Sequence, residues 1–214
     1  MTAPAHFNTA GAGLMSAATL AAMTTQLEQE ARHGAYEVEA RGTAAADARA
    51  ALARLLNAAP AQIALFDSAT RAWQTCLHAL APLAPGSQIW LTPYEYAGHL
   101  LVLQALARRH ALQLQVMPTL PNGDLDLDWV ERQAGPRLAL VSLVHVPSAC
   151  GIVLPVQQVA RRIRARAPQA LLAVDACQSA GQLTLDVQAW ECDLLTGAGR
   201  KFLRGPREIG RAHV

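Results

Sequence analysis

Asp175 and Lys201 are the two side chains whose placement asks for a chemical reason. The apolar run Leu171-Leu172-Ala173-Val174 leads into Asp175-Ala176-Cys177-Gln178, and a later run, Leu194-Leu195-Thr196, leads into Gly197-Ala198-Gly199-Arg200-Lys201. If both runs are strands of one sheet, one acid and one amine share a pocket. That pairing suits pyridoxal phosphate, whose aldehyde takes a lysine amine and whose ring nitrogen stays protonated against a carboxylate.

Each residue also has a plainer reading. A carboxylate ending a buried strand is costly to ionise without a partner. For Asp175 that partner is a protonated pyridine nitrogen, an arginine, or the amides of the next helix. Gln178, one turn further on, reaches a neighbouring oxygen of the same ring. Lys201 taken alone reads as a surface lysine. Gly197 and Gly199 give it a tightly turning approach, Phe202 and Leu203 give apolar cover that favours Schiff-base chemistry, and Arg200 and Arg204 add positive charge for a phosphate.

Ser68-Ala69-Thr70 opens a helix directly after an apolar run. Its amides and hydroxyls suit a phosphate, or simply cap the helix. Tyr96 follows the run through Trp90 and Leu91, where its ring lies flat on a planar cofactor or packs as a core or rim residue. Pro147-Ser148-Ala149-Cys150-Gly151 is a small-residue turn, read equally as cofactor wall or as plain connection.

The elements that must position these residues alternate in type. Strands are expected at Gln62 to Phe66, Gln88 to Leu91, Leu112 to Met117, Leu138 to Leu143, Leu171 to Val174 and Leu194 to Thr196. Helices are expected at Ser16 to Arg32, Tyr36 to about Leu56, Thr70 to Leu80, Ala97 to His110, Leu127 to Gln133 and Pro155 to Ala167, the last with Pro155 in its first turn. Short apolar runs alternating with helical stretches predict an α/β fold with a parallel sheet. Ligands of such sheets bind beyond the carboxyl ends of the strands, where the residues above stand.

Composition narrows the function classes. The 214 residues are 52% hydrophobic and 16% charged, enough for one substantial core. A net charge of +2 is too small to imply a nucleic-acid partner, and Arg161-Arg162-Ile163-Arg164-Ala165-Arg166 fits the polar side of a helix. No apolar stretch approaches a membrane span and no signal peptide is evident, so a cytoplasmic location is the default expectation. The four cysteines, Cys76, Cys150, Cys177 and Cys192, show no CxxC spacing and read as small buried residues.

The chain resembles the class V aminotransferase and cysteine desulfurase family, fold type I of the pyridoxal-phosphate enzymes. The resemblance runs from Asn8-Thr9-Ala10-Gly11-Ala12-Gly13-Leu14 to Gly205-Pro206-Arg207, and is most specific at Val174 to Gly181 and Gly199 to Arg207. It implies a three-layer α/β large domain with a mainly parallel sheet, the C-terminal small domain missing. By that resemblance Lys201 holds the cofactor as a Schiff base and shuttles the substrate's α-proton, and Asp175 pairs with the pyridinium nitrogen. Gln178 contacts the phenolic oxygen, Tyr96 stands at the ring-stacking position, and Ala69 and Thr70 match the phosphate-binding pair. Ser148 and Arg200 are further cofactor-binding positions. The substrate implied is an amino acid or a sulfur-containing derivative of one, and the parent enzyme is expected to be a homodimer.

Departures from the family pattern carry information. Ala198 stands where many members have a phosphate-binding serine, Ser148 where desulfurases have asparagine, and Arg200 where they have histidine. With Glu28 to Tyr36, these are similar to the branch of isopenicillin-N-epimerase-like proteins and the carbon–sulfur lyase of ergothioneine synthesis. The organisation expected is an N-terminal arm and helix over 1–34, an incomplete cofactor-binding large domain over 35–207, and a non-native tail over 208–214. Glu208-Ile209-Gly210-Arg211-Ala212-His213-Val214 can be encoded by a run containing the start of a common sequencing adapter, so a gene fragment joined to adapter sequence is expected. A naturally short paralogue is the alternative. The missing strand would leave an unpaired sheet edge. Two function classes stand: a pyridoxal-phosphate enzyme, and an inert fragment that keeps only the fold. A nucleotide-binding domain is disfavoured because no GxGxxG follows the first strand.

Overall fold

Period-two alternation along short strands builds the core of this molecule. A computed structural model describes residues 5–79, 83–206 and 210–213. Seven strands form one sheet: β1 (Ile63–Phe66), β2 (Gln88–Leu91), β3 (Gln113–Val116), β4 (Leu138–Val144), β5 (Leu171–Asp175), β6 (Leu194–Ala198) and β7 (Gly210–His213), in the order β1-β7-β6-β5-β4-β2-β3. The β3-β2-β4-β5-β6 pairings are parallel, and β7 is antiparallel to both β6 and β1.

Alternate residues face opposite helical layers. Trp90, Val141, Leu143, Leu172, Val174 and Leu195 pack with α3 (Ala44–Leu56), α6 (Leu127–Gln133), α7 (Val156–Arg166) and α8 (Val187–Trp190). Ile89, Leu91, Leu140, Ala173 and Leu194 pack on the other face against α4 (Ala69–Ala79) and α5 (Ala97–His110). The result is the expected three-layer α/β arrangement. Asp175 follows the parity of Ala173, so its side chain belongs to the α4/α5 side.

Helix ends follow local chemistry. Ser16 caps α1 (Ala17–His33) by accepting from the Thr19 amide at 3.0 Å, and Gly34 stops it at φ +88°. Asp126 caps α6 through the Trp129 amide at 2.8 Å. The single helix expected from Tyr36 to Leu56 is two, α2 (Ala35–Arg41) and α3, because Gly42 adopts an extended conformation. A glycine costs about 1 kcal/mol in a helix interior, so the break falls there. Pro155 precedes α7 as its cap residue rather than lying in its first turn. On α7, Ile163 is buried while Arg161 and Arg166 are exposed, as a solvated basic face requires.

The short α8 and the strand β7 go beyond the expected elements. Arg207, residues 208, 209 and 214 of the tail, and Leu80, the expected end of the helix from Thr70, lie outside the described residues. Gly210–His213 is paired on both sides, filling the place between β1 and β6 where an open edge was expected. Among the described residues no helix is long and apolar enough to cross a membrane.

Candidate cofactor site

Five chain segments leave the same end of the sheet and enclose a cavity of about 570 Å³, within the roughly 300–1,000 Å³ usual for small-molecule sites. Asp175 ends β5, and Arg200 and Lys201 follow β6. Val146 to Ala149 follow β4, Pro93 to Ala97 follow β2, and Ala69 and Thr70 open α4 after β1. All eight residues singled out from the sequence, Ala69, Thr70, Tyr96, Ser148, Asp175, Gln178, Arg200 and Lys201, line this one cavity.

Asp175 is 5% exposed. Its Oδ1 accepts the Cys177 amide at 2.8 Å, and its Oδ2 stands 3.6 Å from His99 Nδ1. The arginine considered as a partner is not what meets it. His99 is, although the sequence assigns no role to it, to Ser142 or to Glu95, which stands in the strand-end segment Tyr94-Glu95-Tyr96. His99 Nδ1 lies 3.3 Å from Glu95 Oε1, and Ser142 Oγ donates to Glu95 Oε2 at 2.6 Å. The available signal was a carboxylate and an imidazole four residues apart around the start of α5, Glu95 before its cap Tyr96 and His99 in its first turn.

Tyr96 is half exposed and meets His99 edge-on, with centroids 5.3 Å apart and planes at 78°. Its ring lies over Gly98, where an added Cβ would come within 2.8 Å of Tyr96 Cε1. Gln178 is buried, and its Nε2 donates to the Ala10 carbonyl at 3.1 Å. The Oε1 of the same amide is buried without a partner. Ser148 is exposed at the cavity rim.

The N-terminal arm closes one side. The Gly13 amide donates to the Arg200 carbonyl at 2.8 Å, and Arg200 Nε donates to the Gly11 carbonyl at 3.2 Å. Arg204, expected to add charge toward a phosphate, turns away and donates to the Leu14 carbonyl at 2.7 Å. That bond explains the departure: the arm's carbonyls take up the guanidinium.

Burial, and then the charge of Asp175, push the Cys177 thiol well above the ordinary range, so it stays protonated. Cys76 and Cys192 are also buried, and desolvation pushes Cys192 up to about 12. His145, on the opposite face of β4 from the cavity, packs edge-on to Trp190, and burial pulls it down to about 4. It is neutral there.

Three comparisons bear on this arrangement. The aminotransferase class-V family model matches residues 6–213. Isopenicillin N epimerase of Streptomyces clavuligerus is 34% identical over 170 residues, covering 78% of this chain and 42% of that protein. A probable cysteine desulfurase of Xylella fastidiosa (strain 9a5c) is 30% identical over 211 residues, 96% of this chain and 50% of the relative. The solved complex of the cystine C–S lyase C-DES with its reaction product cysteine persulfide superposes with a TM-score of 0.88 at 27% identity, covering 98% of this chain and 56% of that one. A C-DES mutant with glycine covalently linked to the PLP cofactor superposes equally, at a TM-score of 0.88. The chain spans about half the length of the curated relatives it matches.

Proposed function

This chain belongs to the aminotransferase class V family, and from that membership and its cavity we infer that it is part of a pyridoxal-phosphate-dependent enzyme. Its substrate is an amino acid or a sulfur-containing derivative of one. The reaction is a lyase, desulfurase, epimerase or transaminase step, and the working enzyme is a homodimer.

The observation that carries this reading is the convergence of Lys201 and Asp175, from the ends of neighbouring parallel strands, on one cavity. The residues fit the cofactor. The Asp175 carboxylate is buried with no arginine or lysine in ion-pair contact among the described residues, and the buried Gln178 Oε1 has no partner. A polar ligand satisfies both, whereas an apolar one leaves them unmet.

Pyridoxal phosphate, when bound, supplies an electron sink for the substrate's α-carbon. Lys201 would provide the amine that holds the cofactor through its aldehyde and, once freed, would move the substrate's α-proton. Asp175 holds the ring-nitrogen proton. The Ala69 and Thr70 amides with the Thr70 hydroxyl would hold the phosphate; the Arg71 amide is already capped by Ser68 Oγ at 3.1 Å. Arg200 adds charge, Tyr96 covers the ring and Ser148 guards the rim. Gln178, its Nε2 given to the Ala10 carbonyl, would turn its partnerless Oε1 to the hydroxyl of the ring.

Titrating the purified protein with pyridoxal phosphate tests this reading. A saturable long-wavelength absorbance band that is lost in Lys201→Ala is the expected result. Absence of the band at saturating cofactor favours the inert-scaffold alternative.

A further inference from the structure

Beside Asp175 stands a buried polar cluster, with Glu95 and His99 on the wall of the same cavity. His99 is 2% exposed, and its Nδ1 meets two carboxylates, Glu95 at 3.3 Å and Asp175 at 3.6 Å. Each carboxylate gives its second oxygen to a neutral donor: Ser142 Oγ at 2.6 Å for Glu95, the Cys177 amide at 2.8 Å for Asp175. The imidazole is fixed from both sides. It stacks on the fully buried Trp73 at 4.1 Å and 15°, and Tyr96 meets its edge.

Charge decides what such a cluster does. Two buried carboxylates on one nitrogen repel each other unless a cation lies between them. A single neutral N–H satisfies only one, leaving the other a buried charge without compensation. A cationic imidazole allows both to be ionised and leaves one net negative charge. That remaining charge matches one cationic ring ligand at Asp175. Lys201 and Arg200 line the same cavity, and Cys177 remains a neutral thiol.

Deepening the cofactor reading and resting on it, we propose that His99 and Glu95 are positioning residues for Asp175, with the His99 cation holding both carboxylates ionised so that Asp175 can pair with a protonated ring nitrogen. Neither residue need touch the cofactor. Glu95 makes the device conditional: it requires the His99 charge, and it harms Asp175 when that charge is removed.

The test is pyridoxal phosphate affinity, read by absorbance titration, in four proteins: wild type, His99→Phe, Glu95→Gln and the double variant. Phenylalanine keeps the aromatic contact with Trp73 and removes the nitrogen, while glutamine keeps an acceptor for Ser142. His99→Phe is expected to weaken affinity by about tenfold or more. Adding Glu95→Gln to it removes the like charge and restores affinity to within about threefold of wild type. A merely structural role predicts no recovery from a second core substitution. Unchanged affinity in His99→Phe, or a double variant no better than the single one, overturns the proposal. Should His99→Phe fail to fold, His99→Gln takes its place with the same rescue expected. A wild-type protein that forms no Lys201-dependent band defeats the cofactor reading itself, a result distinct from either failure above.

Discussion

The Gly13 amide donates to the Arg200 carbonyl at 2.8 Å, joining the N-terminal arm to the turn that carries Lys201. There is no room for a side chain at this joint: a Cβ on Gly13 would overlap the Lys201 carbonyl oxygen. Backbone atoms cannot step aside as a flexible side chain can. Gly13→Ala is therefore expected to cost about 1–3 kcal/mol of stability and to weaken cofactor binding by moving the Lys201 turn. Denaturant unfolding alongside a cofactor titration checks both. An alanine variant matching wild type in each would show that the arm is not docked as described.

His145 sets a pH dependence. Burial holds it neutral down to about 4 in the folded protein, against about 6.5 in an unfolded chain. Above that unfolded value both states are neutral and the full stability is present. As pH falls from about 6.5 toward 4, the unfolded chain takes up a proton that the folded one refuses, so stability is lost across that window. Between pH 7 and pH 5 the loss from this group is about 2 kcal/mol. In urea melts the fall in unfolding free energy from pH 7 to pH 5 should be larger for wild type than for His145→Asn by about that amount, and parallel pH profiles would contradict the assignment.

Arg164 ties the end of α7 to the β5–β6 side of the sheet. Its guanidinium donates to the Ala170 carbonyl at 2.6 Å, the Glu191 carbonyl at 2.6 Å and Asp193 Oδ2 at 2.7 Å. The same Asp193 oxygen accepts the Leu172 amide at 2.7 Å. Arg164→Ala is expected to destabilise by about 2–3 kcal/mol, with lysine recovering only part because it lacks the planar fork. Denaturant midpoints decide this, and a shift of the size seen for exposed Arg161→Ala would refute it.

Thiol chemistry separates the four cysteines. Cys76, Cys177 and Cys192 are buried, and only Cys150 is partly exposed. Alkylation of the native protein followed by peptide mass mapping should mark Cys150 first, and the other three only on unfolding. Labelling of Cys177 as fast as Cys150 would mean that its thiol is neither shielded nor held protonated by Asp175.

The site was legible in the sequence because its residues stand within a few positions of the ends of apolar runs. Asp175, Lys201, Tyr96 and the Ala69-Thr70 pair needed only a parallel sheet to bring them together. His99 was not legible in that way. It stands inside α5, where sequence offers a histidine on a helix and only the fold reveals two carboxylates facing it. Arg204 misled for a related reason, since its partner is a backbone carbonyl of Leu14, about 190 residues away in the chain. The break at Gly42 was open to view, but the helical pattern on either side of it outweighed one glycine. The pairing of Gly210–His213 rests on backbone hydrogen bonding with β1 and β6, which side-chain patterning does not encode.

Covalent trapping tests the central claim most directly. Incubating the protein with pyridoxal phosphate, reducing with borohydride and mapping the modified peptide asks which amine carries the cofactor. The account predicts one stoichiometric adduct, on Lys201, abolished in Lys201→Ala and diminished in Asp175→Asn. Lys201 is the sole lysine of the chain, so an adduct on the N-terminal amine instead, or none at all at saturating cofactor, would contradict it.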